Sequence, residues 1–393
     1  MPEAVLCHAT RTPVGRFGGT LKNTPAPELG ATVVRETLRR SGVAADAVDG
    51  LVFGEVVTAG VGMNPARQAA MKGGLPESAP AMTVNRVCGS GAQAIATAAQ
   101  EVWLGHARCM IAGGMENMDQ GPYLLDRARW GYRMGPGQVA DATLRDGLND
   151  AFSGAHSGWH TEDLVEARQI SRDAQDAWAA RSQQRFAEAQ AAGRFGPEIV
   201  PVTVQDKTGE KEFSKDESNR PDATEEGLAK LRPAFREDGT ITAGNAPGLN
   251  TAASAMIVAT PEFAEAHGLE VAARLVAVGV GAVEPGMFGL GPVPAVHQAL
   301  GRAGWSVGDI GRAEINEAFA AIAIALTREL GLPEEDVNVD GGAIALGHPI
   351  GATGAILTTR LLHAMGRDGV SRGLVTLCIG GGQGIALLLE RDA

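Results

Sequence analysis

Three things are missing from this sequence, and each absence narrows the field. Its four cysteines, Cys7, Cys88, Cys109 and Cys378, stand far apart with no C-x-x-C pair. That spacing disfavours a zinc site and a disulfide framework, so no metal is expected, and it suits a reduced, cytoplasmic setting. No uninterrupted apolar run is long enough to span a bilayer. The opening residues lack the basic and apolar segments of a secretory signal, so neither a membrane partner nor export is expected. Basic residues are outnumbered, 34 Lys and Arg against 46 Asp and Glu, for a net charge of −12. No general nucleic-acid surface follows from that balance, and an anionic ligand would need a local basic patch.

What is abundant is glycine, at 53 of 393 residues, about twice the usual ~7% share. Much of it falls in runs such as Gly113-Gly114, Gly341-Gly342 and Gly380-Gly381-Gly382. Such runs either line a ligand site with backbone groups or allow tight packing of elements. With 44% hydrophobic and 20% charged residues the chain has ordinary globular composition and length enough for two or three domains.

Strand and helix signals alternate through residues 1–118, as in an α/β layer. Residues 119–248 read as a loop-rich insertion, with the polar run Gln205-Asp206-Lys207-Thr208-Gly209-Glu210-Lys211 and one convincing helix from Ser171 to Ala189. The α/β pattern resumes at 269 and runs to 393. The two α/β regions repeat one pattern. In the first, the strand Ala81-Met82-Thr83-Val84 leads to Cys88, then to a helix, then to a strand closing at Gly113-Gly114. In the second, a strand at Val337-Asn338-Val339 leads through Gly341-Gly342 to His348, then to a helix, then to a strand closing at Gly380-Gly381. A pseudo-twofold relating the halves would set Cys88 and His348 face to face.

Chemistry concentrates at four places. Cys88 lies on a glycine turn before a helix, where free backbone N–H groups favour a thiolate nucleophile. A small buried hydrophobe is the plainer reading of the same cysteine. His348, in Gly347-His348-Pro349-Ile350-Gly351, is the side chain type best suited to exchange protons near neutrality. Asn316, in Glu314-Ile315-Asn316-Glu317-Ala318-Phe319-Ala320, either caps a helix or orients a water or carbonyl oxygen. Cys378 ends a strand before Gly380, whose turn offers N–H groups to an oxyanion.

Two cysteines, a histidine and an asparagine in these contexts resemble the thiolase family, specifically its bacterial acetyl-CoA acetyltransferases. The resemblance spans essentially the whole chain, including Asn85-Arg86-Val87-Cys88-Gly89-Ser90-Gly91, Gly113-Gly114-Met115-Glu116-Asn117-Met118, Asn316-Glu317-Ala318-Phe319-Ala320, Gly341-Gly342-Ala343-Ile344-Ala345-Leu346-Gly347-His348-Pro349 and Cys378-Ile379-Gly380-Gly381-Gly382. It implies an α/β thiolase fold: two pseudo-twofold-related βαβαβαββ halves in a five-layer α-β-α-β-α arrangement. The first half would be residues 1–118, completed by 249–268; residues 119–248 would cover the site and bind CoA; residues 269–393 would form the second half. It implies acyl transfer to Cys88 with His348 as base, Cys378 as the carbon-acid base, Asn316 holding a water, and the N–H groups of Cys88 and Gly380 as an oxyanion hole. No permanently bound cofactor is implied, since coenzyme A and acyl-CoA enter as substrates. For CoA the resemblance points to Arg220, His156, Ala243, Pro247, Ala318 and Phe319, and it implies a homo-oligomer, a dimer or a dimer of dimers.

Departures from the family pattern cluster near the expected acyl pocket. Ser157 stands where a methionine is usual, His160 where a threonine is usual, and Phe288 replaces a second methionine. Pro247 lacks the hydroxyl of the usual serine. Ser157 opens space and Phe288 closes it, so acetoacetyl-CoA and longer or dicarboxylic 3-oxoacyl-CoA both remain candidate substrates. A ketoacyl-carrier-protein synthase would pair its cysteine with two histidines, and a non-enzymatic relative would lack Cys88, His348 or Cys378.

Overall fold

The computed structural model describes residues 3–206 and 209–392; Met1, Pro2, and Lys207 and Thr208 of the polar run lie outside the described residues. The first half contains β1 (Val5–Arg11), α1 (Ala26–Ser41), β2 (Gly50–Gly54), α2 (Pro65–Gly73), β3 (Ala81–Val84), α3 (Ser90–Trp103) and β4 (Cys109–Asn117). The insertion carries α4 (Ser157–Arg168) and α5 (Arg172–Ala191), after which β5 (Asn250–Ala259) completes the first half. The second half contains β6 (Val271–Ala282), α6 (Pro292–Ala303), β7 (Arg312–Ile315), α7 (Ala320–Leu330), α8 (Thr353–Asp368), β8 (Arg372–Ile379) and β9 (Gln383–Glu390).

The strands form one sheet in the order β7-β8-β9-β6-β1-β5-β4-β2-β3. Its symmetry is plain when read outward from the central antiparallel pair, β1 with β6. On one side β1-β5 and β5-β4 are antiparallel, then β4-β2 and β2-β3 parallel. On the other, β6-β9 and β9-β8 are antiparallel and β8-β7 parallel, and Val337 makes a parallel bridge to Ala313 of β7. The strand expected at Val337-Asn338-Val339 is therefore a single bridge. Asn338 takes a left-handed φ of +48° and bonds Ile315 N and O through its side chain, turning the chain out of the sheet after one residue.

Alternation along each strand explains the layering. In β5, Ala253, Ala255 and Ile257 face the cluster that contains Leu29 and Val33 of α1, while Met256 and Val258 face the opposite way. That opposite cluster is shared by both halves: α3 gives it Ile95 and Ala99, α8 gives Leu357 and Leu361, and β8 gives Val375 and Leu377. Helices α6 and α7 cover the outer face of the second half through Ala295, Ala299, Ile322 and Leu326. Five layers result, with α3 and α8 in the middle. Leu361 is fully buried there, so Leu361→Ala should cost about 2–5 kcal/mol.

Two glycines bring the halves' working ends together. A Cβ on Gly91 of α3 would lie 2.6 Å from Ala355 N, and one on Gly354 of α8 would collide with Ala92 N. The N-terminal turns of the central helices thus touch backbone to backbone, which draws together the loops carrying Cys88 and His348. The insertion is locked on by buried charge: Arg11 of β1 bonds Asp216 at 2.7 and 3.0 Å and Glu198 at 2.7 Å. Removing one partner would strand a buried charge, at a cost of about 3–5 kcal/mol.

Candidate active site

The turn before α3 is clamped by its own side chains. Val87 N donates to Asn85 Oδ1 at 2.9 Å; Ser90 Oγ accepts from Arg86 N at 2.8 Å and donates to Val87 O at 2.6 Å. Val87 is held at φ +44°. For a β-branched residue that conformation costs about 1–3 kcal/mol and persists only where surroundings over-determine it. The consequence is the presentation of Cys88: the backbone N–H groups of Cys88 and Gly380 favour its thiolate.

Those donors pull the Cys88 thiol down, but burial outweighs them and the Glu116 carboxyl adds to it, pushing the thiol up to about 11. The sequence expectation that a helix start would by itself favour the thiolate is overturned. Helix α3 does begin just past the cysteine, at Ser90, but desolvation dominates. Cys88 needs a base.

His348 is suited to that task. Its backbone N–H donates to Asn250 Oδ1 at 2.8 Å. Its Nδ1 lies 2.7 Å from Thr353 Oγ1, whose hydroxyl donates to Pro349 O at 2.7 Å. A hydroxyl has one hydrogen, so Thr353 accepts from Nδ1–H and the lone pair is left on Nε2. Burial holds the imidazole down at about 4, so it is neutral at pH 7. Asn316 Nδ2 stands 3.4 Å from His348 Nε2, and Asn316 Oδ1 is buried with no protein partner. Helix α7 starts after Phe319 rather than at Asn316, which removes the capping reading.

Cys378, fully buried at the end of β8, has its thiol raised well above the usual range, first by burial and then by the charge of Cys88.

Cys88 and His348 share a cavity of about 350 Å³ with Gly380, His156, Ser157, His160, Phe235, Pro247, Phe288, Ala318 and Phe319. His156 caps α4, accepting from Gly158 N at 3.0 Å, and stacks on Phe235 at 4.6 Å between ring centres. Phe235 in turn meets Phe319 edge-on at 6.0 Å. Cys378 and Asn316 are fully buried and outside the lining, while Arg220 and Ala243 are exposed and outside it.

The thiolase N-terminal domain family matches residues 4–262 and the thiolase C-terminal domain family matches residues 269–391. The chain belongs to the thiolase family. Acetyl-CoA acetyltransferase of Pseudomonas aeruginosa is 50% identical over 393 residues, covering all of both chains. A probable acetyl-CoA acyltransferase of Staphylococcus epidermidis is 49% identical over 392 residues, all of this chain and 99% of that one. The crystal structure of Bacillus anthracis acetyl-CoA acetyltransferase superposes with a TM-score of 0.97 at 42% identity, covering 99% of each chain. The protein is an acyltransferase of the thiolase type, with the thiolase fold.

Several groups that shape this thiolase site have no role assigned to them by the sequence alone. Thr353 and Asn250, which orient His348, are two. Glu317 is a third. Its carboxylate accepts from Trp178 Nε1 at 2.9 Å, Ser182 Oγ at 2.8 Å, Asn338 Nδ2 at 3.0 Å and Ile344 N at 3.0 Å. It ties the Asn316 loop to the insertion and to the segment leading into His348. The signal available was the Asn-Glu pair at a strand end, but its partners are up to 139 residues away.

Proposed function

We propose that the enzyme catalyses the reversible Claisen condensation of two acetyl-CoA to acetoacetyl-CoA and CoA, by a ping-pong route through acyl-Cys88. The observation that carries this reading is the cavity whose wall Cys88, His348 and Gly380 share, with the buried Cys378 near enough for Cys88 to raise its thiol. His348 Nε2 takes the Cys88 proton, and the thiolate attacks the thioester carbonyl. The N–H groups of Cys88 and Gly380 hold the tetrahedral oxyanion. Collapse expels CoA as the thiolate, which recovers the proton from His348.

His348 Nε2, free again, next takes the Cys378 proton, and the Cys378 thiolate removes an α-proton from a second acetyl-CoA. Acylation favours that step, because an acylated Cys88 cannot ionise and so cannot oppose a thiolate at Cys378. His348, protonated at Nε2, and a water held by Asn316 Oδ1 would bind the enolate oxygen. The enolate carbon attacks acyl-Cys88, and collapse releases the 3-oxoacyl-CoA and the Cys88 thiolate, which takes back a proton from His348. His156, Ser157, Pro247, Phe288, Ala318 and Phe319 would wall the pantetheine and acyl group, with Ala243 and Arg220 outside, toward the nucleotide end.

A second reading, a 3-oxoacyl-CoA thiolase for longer chains, is favoured by Ser157 on the cavity wall. A chain ending in a carboxylate suits this wall poorly, since the arginine in its lining, Arg145, is already paired with Asp126 at 3.0 Å. His160 is already flanked by Asp150 at 3.9 Å and Asp163 at 3.5 Å, and Asp146 also lines the cavity. Thiolysis assays separate the readings. A kcat/KM highest for acetoacetyl-CoA supports the first, and one that rises with chain length supports the second.

We also propose a cytoplasmic homo-oligomer, a dimer or a dimer of dimers. Trp130 is 86% and Met134 96% exposed, and Met82 lies open on the edge strand β3, a hazard that association would cover. Light scattering at micromolar concentration tests it, and a monomer would contradict it. No described helix is long and apolar enough to cross a membrane.

A further inference from the structure

The pseudo-twofold pairs Asn316 and Cys378 with two residues of the other half. Gly54 of β2 is in register with Gly114 of β4, and Ile315 of β7 with Thr376 of β8. One residue beyond Gly54 is Glu55, and one beyond Ile315 is Asn316. Two beyond Gly114 is Glu116, and two beyond Thr376 is Cys378. Where the second half places its asparagine and cysteine, the first half places two carboxyl groups, both fully buried.

Glu116 is fully engaged. Its Oε2 accepts from Val56 N at 3.0 Å and Gly351 N at 2.9 Å, and its Oε1 accepts from Val57 N at 3.2 Å. Gly351 lies three residues beyond His348, in the other half of the molecule. The clamped backbones carry Val56, Val57 and Ile350, which pack around Cys88 with Met118. The fit is tight, since a Cβ on Gly351 would lie 2.7 Å from Glu116 Oε2.

We propose that Glu116 is a positioning residue for acylation: its carboxylate clamps the 56–57 loop to the His348 loop and so holds His348 in place against Cys88. This rests on the reading in which His348 deprotonates Cys88. The clamp favours the ionised form, because protonation turns one oxygen into a weak acceptor and adds an O–H that faces N–H donors. Burial raises Glu116 to about 7 against the pull of those three bonds, so the clamp titrates around neutrality. Burial lowers His348 to about 4, well apart. The titratable groups that face Glu116 are Glu55 and Cys88. Lys72, which shares a cavity with Glu55, is ion-paired to Glu28.

The test is the rate of acyl-Cys88 formation from acetyl-CoA, by rapid quench and intact mass, from pH 5.5 to 8.5, with circular dichroism on the same samples. Wild type should lose about tenfold between pH 8 and pH 6 with its fold intact, the titration of one group near 7. Glu116→Gln at pH 8 should be about 10- to 100-fold slower, the usual cost of a misplaced catalytic group, and should lack the limb near pH 7. A folded Glu116→Gln acylating as fast as wild type would overturn the clamp. So would a faster one, since removing a negative charge beside Cys88 lowers its thiol and marks a purely electrostatic role. If Glu116→Gln fails to fold, the wild-type profile decides: a rate flat to pH 6 overturns the proposal, and the limb near 7 upholds it. Absence of acyl-Cys88 at every pH would instead overturn the thiolase reading beneath it.

Discussion

Thr353 Oγ1 lies 2.7 Å from His348 Nδ1 and gives its own hydrogen to Pro349 O, which leaves His348 Nε2 without a hydrogen, its lone pair 3.4 Å from Asn316 Nδ2. One hydroxyl, on the first residue of α8, thereby selects the tautomer that can take a proton from Cys88. Thr353→Val keeps the shape and removes the acceptor. It should lower kcat about 10- to 100-fold, leave KM for acetyl-CoA within about twofold, and be rescued by Thr353→Ser. Steady-state kinetics on the three proteins check this; a Thr353→Val enzyme with wild-type kcat would remove the tautomer argument.

Glu55 makes a prediction about stability. Burial, and secondarily the charge of Glu116, raise it to about 9, and neither of its oxygens has a protein partner. The native state therefore holds a proton that the unfolded chain, with an ordinary value of 4.5, releases. Its contribution to stability is fully present below about 4.5 and is lost as pH rises through 9. Glu55→Gln mimics the protonated form. Its Tm should match wild type at pH 5 and exceed it by roughly 5 °C at pH 9. A gap that stays constant or reverses with pH, in calorimetry across that range, would refute the assignment.

Ser157 tests the substrate reading. Restoring bulk with Ser157→Met should leave thiolysis of acetoacetyl-CoA within about threefold and lower kcat/KM for a six-carbon or longer 3-oxoacyl-CoA about tenfold or more, at 1–3 kcal/mol per displaced methylene. Equal effects on both substrates would show that Ser157 does not border the acyl chain.

Much of this architecture was legible in the sequence because it is local. The strand-turn-helix units around Cys88 and His348 announce themselves through apolar runs punctuated by glycine, and the repeat sets them opposite each other. The helix expected at Ser171–Ala189 is Arg172–Ala191, capped by Ser171, because a cap is a short-range signal. Long-range electrostatics were not legible. Nothing near Cys88 in sequence tells how deeply it is buried, so the thiol rises where local reasoning had it fall. Asn316 could not be separated from a helix cap until α7 was seen to begin at Ala320. The polar partners of Glu116 and Glu317 are spread over both halves and the insertion. They emerge only once the chain is folded.

The central claim is a division of labour: Cys88 carries the acyl group and Cys378 moves the α-proton. The most direct measurement is intact mass after mixing with acetyl-CoA, paired with acetoacetyl-CoA formation, for wild type, Cys88→Ser and Cys378→Ala. Cys378→Ala should gain one acetyl group on Cys88 at close to the wild-type rate and form no acetoacetyl-CoA. Cys88→Ser should gain none at a comparable rate. If Cys378→Ala lost acylation and condensation together while remaining folded, the assigned roles would be wrong.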